Sequence, residues 1–202
     1  MIETPRHIND IIDDLNKEIS SDNNTIQHLI DVLHERGFGV LIFLFALPMA
    51  IPLPVPPGVN LLFSIPLLFL TSQQIMASHA LWLPNFITRK SIDSDALKNI
   101  LVKSKPMMVK LSYFIRPRLG WVTQGAWSRV IGLFGLLFAL CVCIPVPLTN
   151  TVPSFAILLM ALGVLMRDGF AVLAGMIIGS LWIGLLATLG VSGFRSLLSL
   201  IL

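Results

Sequence analysis

The sequence contains very little charge. Only 12% of its 202 residues are Asp, Glu, Lys or Arg, whereas 55% are hydrophobic, and the mean hydropathy is +0.83. Soluble globular domains carry about 25% charged residues. This composition therefore excludes an ordinary soluble domain and predicts an integral membrane protein.

Cysteine is also scarce. Cys141 and Cys143 are the only two, and they lie two residues apart in an apolar run. This pattern excludes a disulfide framework and a cysteine-based metal site. We interpret both as small apolar side chains, and the sequence predicts no metal and no cofactor.

The few charged residues are unevenly distributed. Three tracts contain no Asp, Glu, Lys or Arg: residues 37–84, 130–166 and 169–194. A helix rises about 1.5 Å per residue and needs about 20 residues to cross a ~30 Å hydrocarbon core. Only residues 169–189 form an uninterrupted run of that length. Ala171, Gly175 and Gly179 give this run a small-residue face, which favours close packing against the other membrane segments or a second copy.

Prolines interrupt the first two tracts. IPLPVPPG divides the first tract at residues 51–58, and IPVPLTNTVP divides the second at residues 144–153. Proline lacks the backbone N–H and clashes with the preceding turn, so a helix is expected to end at each stretch. In lipid, such a break is tolerated only where protein covers it or where it lines an aqueous cavity.

The two interrupted tracts also resemble each other. FALPMAIPLP at residues 45–54 aligns with FALCVCIPVP at residues 138–147, at a constant offset of 93. After a one-residue gap the match continues at Phe63, Ile65 and Leu67 with Phe155, Ile157 and Leu159. We therefore predict an all-α, polytopic helical membrane protein. It has two repeated Pro-broken hairpins, re-entrant or built from short helices, and one ordinary transmembrane helix.

Paired hydrophobic segments that prolines interrupt at corresponding positions indicate a transport pathway. The predicted pathway residues surround the two breaks: Pro52, Pro54, Pro57, Gly58, Asn60, Ser64, Pro145, Pro147, Thr149, Asn150 and Thr151. Asn, Ser and Thr also cap helix N-termini routinely. The polar members of this set therefore either cap the second half-helices or bind a ligand.

These features divide the chain into five segments. They are a cytoplasmic acidic tail with amphipathic helices (1–36), the first broken hairpin (37–84), a basic interfacial connector (85–129), the second broken hairpin (130–166), and a transmembrane helix with a short C-terminal segment (167–202). The tail has eight acidic and three basic residues, whereas the connector has two acidic and nine basic residues.

Aromatic residues are interleaved with Lys and Arg in the connector, as at nucleic-acid surfaces and membrane interfaces. Because membrane tracts flank the connector, we interpret it as a membrane interface and expect no nucleic acid. By the positive-inside rule the connector and the N-terminus are cytoplasmic, with anionic lipid headgroups as counter-charges. The predicted interface residues are Arg116, Arg118, Trp121, Arg167 and Asp168.

Longer stretches carry a family resemblance. They are FALPMAIPLPVPPG with LLFSIPLLFLTSQQ, the WLP at 82–84, RPRLGWVT at 116–123, and NTVPSFAILLMALGVLMRDG at 150–169. Together they resemble the ExoD family of bacterial exopolysaccharide-synthesis proteins. The resemblance implies a bacterial cytoplasmic-membrane protein associated with exopolysaccharide production and, in some members, with tolerance of alkaline conditions. It implies no particular reaction.

Three functions are compatible with the sequence. A transporter or channel-like pathway for a small ion or solute uses the repeat and both breaks, and it is the function we favour. The alternatives are a scaffold or regulator that recruits the polysaccharide machinery, and a carrier of lipid-linked saccharide. A homo-oligomer is expected, with a dimer favoured.

We expect no enzymatic activity. Asp93 and Asp95 are the only acids in the connector, and their pattern is typical of the first turn of a helix. The membrane tracts before Arg167 contain no acidic or basic residue, which argues against a carboxylate proton relay.

Overall fold

A computed structural model describes residues 38–51, 59–77, 83–84, 99, 102–103, 106, 110, 113, 115–144 and 150–201. Within these residues the chain is helical and forms no strand, which confirms the predicted all-α class. The acidic tail and much of the connector, including Asp93 and Asp95, lie outside the described residues.

The described residues form five α-helices and one 3₁₀ turn. They are α1 (Phe38–Ala50), α2 (Val59–Ile75), the 3₁₀ turn (Gly120–Thr123), α3 (Ala126–Cys143), α4 (Thr151–Leu165) and α5 (Gly169–Ile201). The helices thus stop and resume on either side of the two proline-rich stretches.

Two helices are long and apolar enough to cross a membrane, Ala126–Cys143 and Gly169–Gly190. The expectation that only one run has this length was therefore wrong. The helix α3 begins at Ala126, inside the predicted connector. It begins there because the preceding Gly125 has a φ of 62°, a non-helical conformation that residues other than glycine rarely adopt. Likewise, α5 continues to Ile201, so the C-terminal segment extends this helix.

The three remaining helices are shorter. They contain 13, 17 and 15 residues in α1, α2 and α4, or about 20, 26 and 23 Å at 1.5 Å per residue. All described side chains of α1 are buried, and most of α4 is buried as well. Both helices are apolar on every side, as a helix enclosed by others must be.

Helix pairing brings the two hairpins together. The helix α2 packs mainly on α3, α1 mainly on α4, and α4 also on α5. Gly132 in α3 lies against Ile75 at the end of α2, whereas Cys143 at the end of α3 contacts Ser64 near the start of α2. These two contacts make α2 and α3 antiparallel, so the helix ends that flank both breaks lie at one end of the bundle.

The small-residue face of α5 packs inside the protein, which confirms one of its two predicted partners. A Cβ built on Gly175 would lie 2.7 Å from the Ala156 carbonyl oxygen, and Gly179 accommodates the ring of Phe138. The partners are therefore α4 and α3. The adjacent face of α5, which includes Gly184 and Thr188, is exposed.

Candidate functional site

The structure describes only some of the predicted pathway residues. Seven lie outside the described residues: Pro52, Pro54, Pro57, Gly58, Pro145, Pro147 and Thr149. Of the other four, Asn60 and Thr151 lie in the first turns of α2 and α4, Asn150 directly precedes α4, and Ser64 lies one turn further into α2. Because both helices start at the same end of the bundle, these four residues share that end.

Polar atoms are buried at the start of α2. Asn60 lies in its first turn, and its Oδ1 is buried with no hydrogen-bond partner in the described part of the chain. One turn later Ser64 is fully buried, and its Oγ accepts a hydrogen bond from the Cys143 thiol at 3.2 Å. Cys143 is therefore a polar partner of this site, a role that its apolar neighbours in the sequence concealed.

The start of α4 repeats this arrangement. Asn150 is buried and occupies the N-cap position, but its side chain makes no capping hydrogen bond. Ser154, one turn later, is fully buried, and its Oγ has no hydrogen-bond partner among the described residues. Sequence reasoning missed Ser154. The signal was the shared Asn-x-x-x-Ser spacing at residues 60–64 and 150–154.

Unpaired buried oxygens are costly. A buried polar group without a partner costs roughly 1–3 kcal/mol, and it calls for a water, an ion or a ligand. Asn60 Oδ1 and Ser154 Oγ are two such atoms, one in each hairpin. They are uncharged hydrogen-bonding groups, and no cluster of three His, Cys, Asp or Glu residues occurs among the described residues. The chemistry available here is hydrogen bonding or weak coordination.

A narrow cleft runs between helices α1 to α4, with space for about one water molecule. It is lined by Gly39, Ile42, Thr71, Gln74, Ile131, Gly135, Ile157, Met160, Ala161 and Val164. Its polar groups come from α2. The Thr71 hydroxyl donates to the Leu67 carbonyl at 2.7 Å, and Gln74 Nε2 donates to Ser128 Oγ at 3.5 Å. The cleft lies toward the bundle end opposite the two breaks.

A second polar feature lies at that opposite end. Asp168, between α4 and α5, is only 2% exposed. Its Oδ1 accepts from the Phe170 N–H at 2.9 Å and the Ala171 N–H at 3.4 Å, which caps α5. Its Oδ2 accepts from the Arg116 backbone N–H at 2.8 Å. Asp168, one of the predicted interface residues, is buried, and its carboxylate accepts from backbone N–H groups.

The connector is fastened to this corner at a second point. The Gly169 N–H donates to the Arg118 carbonyl at 2.7 Å. A Cβ on Gly169 would lie 2.7 Å from the Leu119 carbonyl oxygen, so only glycine permits this approach. The term arginine corner is used below for Arg116, Arg118 and Arg167. It includes the backbone of the first two, which is hydrogen-bonded to Asp168 and Gly169.

Arg167 ends α4 in a left-handed conformation, with a φ of 54°. Its N–H donates to the Val164 carbonyl at 3.3 Å, and the Asp168 N–H donates to the Gly163 carbonyl at 2.7 Å. This is a Schellman arrangement, in which the Arg167 position usually holds glycine.

Replacing Arg167 by glycine is therefore expected to raise stability by about 0.5–1 kcal/mol, because the left-handed conformation strains a residue with a Cβ. Thermal unfolding in detergent measures the change. Arg167→Ala removes the same charge but keeps the Cβ, so it should give no stabilisation. Equal stabilisation by both variants would contradict the role of backbone strain.

The remaining predicted interface residues are at the surface. The side chains of Arg116, Arg118 and Arg167 are exposed, and Trp121 is 61% exposed. The ring of Trp121 packs edge-on against Trp127, with 5.6 Å between the ring centroids. The structure thus places four of the five predicted interface residues on one exposed corner of the protein.

The comparison with known families covers most of the chain. A family model described as "Exopolysaccharide synthesis, ExoD" matches residues 8–188. The chain belongs to the ExoD family. It is 33% identical over 177 residues to Protein ExoD of Rhizobium meliloti (strain 1021), an alignment that covers 86% of this chain and 73% of that protein.

A second relative extends the ExoD comparison. The chain is 31% identical over 172 residues to the uncharacterized protein slr1875 of Synechocystis sp., covering 84% of this chain and 80% of that protein. No solved structure matches the chain significantly. Membership of the ExoD family, together with the two long apolar helices, indicates a membrane-associated protein of exopolysaccharide synthesis.

Proposed function

We propose that this protein is a multi-pass protein of the bacterial cytoplasmic membrane, with its N-terminus in the cytoplasm. In this proposal it supports exopolysaccharide production by passing a small ion or solute between two related helix hairpins, and it is not an enzyme. The observation that carries the proposal is that α2 and α4 each start with an Asn followed one turn later by a fully buried Ser, and that in each pair one buried oxygen, Asn60 Oδ1 or Ser154 Oγ, has no hydrogen-bond partner among the described residues.

Packing supports a relationship between the hairpins. A Cβ on Gly39 in α1 would lie 3.2 Å from the Leu165 side chain in α4. A Cβ on Gly132 in α3 would lie 2.9 Å from the Ile75 backbone nitrogen in α2. The two glycines are 93 residues apart, the offset of the sequence repeat, and their partners are 90 apart. The same contact is thus made twice, with the hairpins exchanged.

This equivalence revises the second part of the alignment. An offset of 90 pairs Asn60 with Asn150 and Ser64 with Ser154, where the one-residue gap had given an offset of 92. The second break is then three residues shorter than the first. The matched polar residues flank the breaks, where a duplicated fold would place a duplicated ligand contact.

The hairpins run in the same direction, since both pairs of helix ends that flank a break lie at one end of the bundle. Parallel repeats of this kind are related by an axis along the membrane normal, and transporters bind substrates between them. The cleft lined by helices α1 to α4 lies between the two proposed repeats. Its narrowness favours a small solute and a pathway that opens only transiently.

Ser154→Ala should lower transport about tenfold in proteoliposomes, because it removes a buried hydroxyl available to a passing solute. Na⁺, K⁺, Cl⁻ and glycerol serve as probes, since each flux can be followed optically. Asn60→Ala and Asn150→Ala should act in the same direction. Ser180→Ala is the matched control, because it removes a hydroxyl from the exposed face of α5.

The result also decides between functions. Unchanged flux of every probe in the three variants, together with an intact exopolysaccharide phenotype, would rule out the pathway. Loss of the phenotype on deleting residues 1–36, with flux retained, would favour the scaffold that recruits the polysaccharide machinery. Movement of a labelled lipid-linked saccharide, with none of the small probes, would favour the carrier.

The proposal includes a homodimer. The face of α5 that carries Ser180, Gly184 and Thr188 is exposed, and a Cβ on Gly184 would meet nothing within 4 Å. Small residues at four-residue spacing allow close helix contact in lipid. Anionic lipid headgroups are the second proposed partner. The polysaccharide-synthesis machinery is the proposed protein partner in the cell.

A further inference from the structure

We propose that the arginine corner binds a multiply charged phosphate, a phosphomonoester or diphosphate, on a lipid in the adjacent leaflet. It does so in preference to the singly charged phosphodiester of bulk phospholipids. This inference needs the protein to lie in a membrane but does not rest on transport. It therefore stands or falls separately from the proposed pathway.

The backbone that carries the three arginines is held rigidly. The Arg116 N–H and the Arg118 carbonyl are both hydrogen-bonded to the start of α5, at 2.8 and 2.7 Å. Gly169 lets this backbone approach α5 closely, since a Cβ there would meet the Leu119 carbonyl oxygen at 2.7 Å. Arg167 lies next to Asp168 in the same unit. Three arginines are thus carried on one preorganised backbone, which lowers the entropy lost on binding.

The positive charges of the three arginines are not compensated by any acid among the described residues. Asp168 is the only acid among the described residues, and backbone N–H groups occupy both of its carboxylate oxygens. No carboxylate of the described residues pairs with the exposed guanidinium groups of Arg116, Arg118 and Arg167. Each guanidinium offers five N–H donors in a planar fork that fits phosphate oxygens. Among the described residues, the three guanidinium groups therefore have no anionic partner.

The arginine corner lies where the two long apolar helices begin. The two helices long enough to cross a membrane, α3 and α5, begin at Ala126 and Gly169, beside the corner. Trp121 is exposed and packs on Trp127, as expected of aromatic side chains at headgroup level. The anion that meets these guanidinium groups is therefore a lipid headgroup.

The arginine corner should select a doubly charged phosphate over a singly charged phosphodiester. Coulomb attraction scales with the charge of the ligand, so a phosphate of charge near −2 gains about twice the attraction of a phosphodiester. A terminal phosphate also offers the guanidinium donors three unesterified oxygens, whereas the second ester substituent of a phosphodiester leaves only two. Terminal phosphate oxygens are the feature that phosphomonoester and diphosphate lipids share.

Native mass spectrometry of the full chain in detergent tests the proposal, with dioleoyl phosphatidic acid, dioleoyl phosphatidylglycerol and inorganic pyrophosphate as probes. We expect phosphatidic acid to bind more tightly than phosphatidylglycerol by about fivefold or more. Each Arg→Gln change should weaken phosphatidic acid binding about fivefold, and the triple variant roughly a hundredfold, at ~1 kcal/mol per basic residue.

Matched variants separate this site from general surface charge. Arg129→Gln removes an exposed arginine of α3 outside the corner, so it should change binding by less than twofold. If the triple variant misfolds, Arg167→Gly replaces it in the test. This variant is expected to stabilise the fold and to weaken phosphatidic acid binding. Weaker binding in this variant would support the site.

Three results would overturn the proposal. The first is phosphatidic acid binding that the triple variant leaves unchanged. The second is an equal loss in Arg129→Gln, or equal affinity for phosphatidylglycerol, since either indicates bulk attraction. The third is pyrophosphate binding as tightly as the lipid, which would assign the corner to a soluble anion. Pyrophosphate that competes only at much higher concentration would support the lipid.

Discussion

Replacing Asp168 by alanine is expected to destabilise the protein by about 3 kcal/mol, or roughly 9 °C in melting temperature. Alanine would remove the cap from the Phe170 and Ala171 N–H groups at the start of α5. It would also leave the Arg116 N–H without its partner. Two elements would lose their attachment at once, which is why the expected effect exceeds that of an ordinary helix cap.

Asp168→Asn is the informative comparison. Its carbonyl oxygen can still accept from the Phe170 and Ala171 N–H groups, but its NH₂ then faces the donor of Arg116. We expect an intermediate loss, measured by thermal unfolding in the same detergent. If Asn proved as damaging as Ala, the cap would contribute little and the charge itself would be essential. If both were neutral, the hydrogen bonds of this corner would not stabilise the fold.

Asp168 also shows where sequence reasoning stops. A lone Arg-Asp pair between two apolar runs is typical of a membrane-surface turn, and Arg167 is indeed exposed. The partner of Asp168 is a backbone N–H that lies 52 residues earlier in the chain. No local pattern predicts which backbone group a carboxylate will meet at that separation, so the interior role of Asp168 required the structure.

The features predicted correctly depend on local composition. Apolar runs free of charge specified the all-α class, and the four-residue spacing of Ala171, Gly175 and Gly179 specified the packed face of α5. The start of α3 depended instead on one backbone conformation at Gly125. That residue precedes the tract taken to be the helix, and its φ cannot be inferred from hydropathy.

The candidate site lies between these cases. Asn60 and Asn150 were predicted because they lie beside the proline-rich breaks, and Ser64 because it lies one helical turn further on; the structure buries polar atoms of all three. Ser154 was missed because the repeat was aligned through apolar letters, which match at several offsets. Its assignment needed the glycine contacts of Gly39 and Gly132, which support the proposed equivalence of the helices.

The packed face of α5 supplies the other large expected effect. Gly175→Ala should destabilise the protein by about 2–3 kcal/mol, because the added methyl group would overlap backbone atoms. Its Cβ would lie 2.7 Å from the Ala156 carbonyl oxygen and 3.2 Å from the Met160 nitrogen. Neither atom can move away unless α4 itself shifts. Thermal unfolding in detergent measures the loss.

Gly184→Ala is the matched control because it makes the same change in the same helix. A Cβ at Gly184 would meet nothing within 4 Å, and alanine favours a helix over glycine by up to about 1 kcal/mol. In the monomer the two variants should therefore shift stability in opposite directions, whereas in the proposed dimer Gly184→Ala should also destabilise. Destabilisation at Gly184 that depends on protein concentration would instead show that a second copy packs there. Opposite signs would show that, of these two glycines, Gly175 makes the close helix contact within one chain and Gly184 does not.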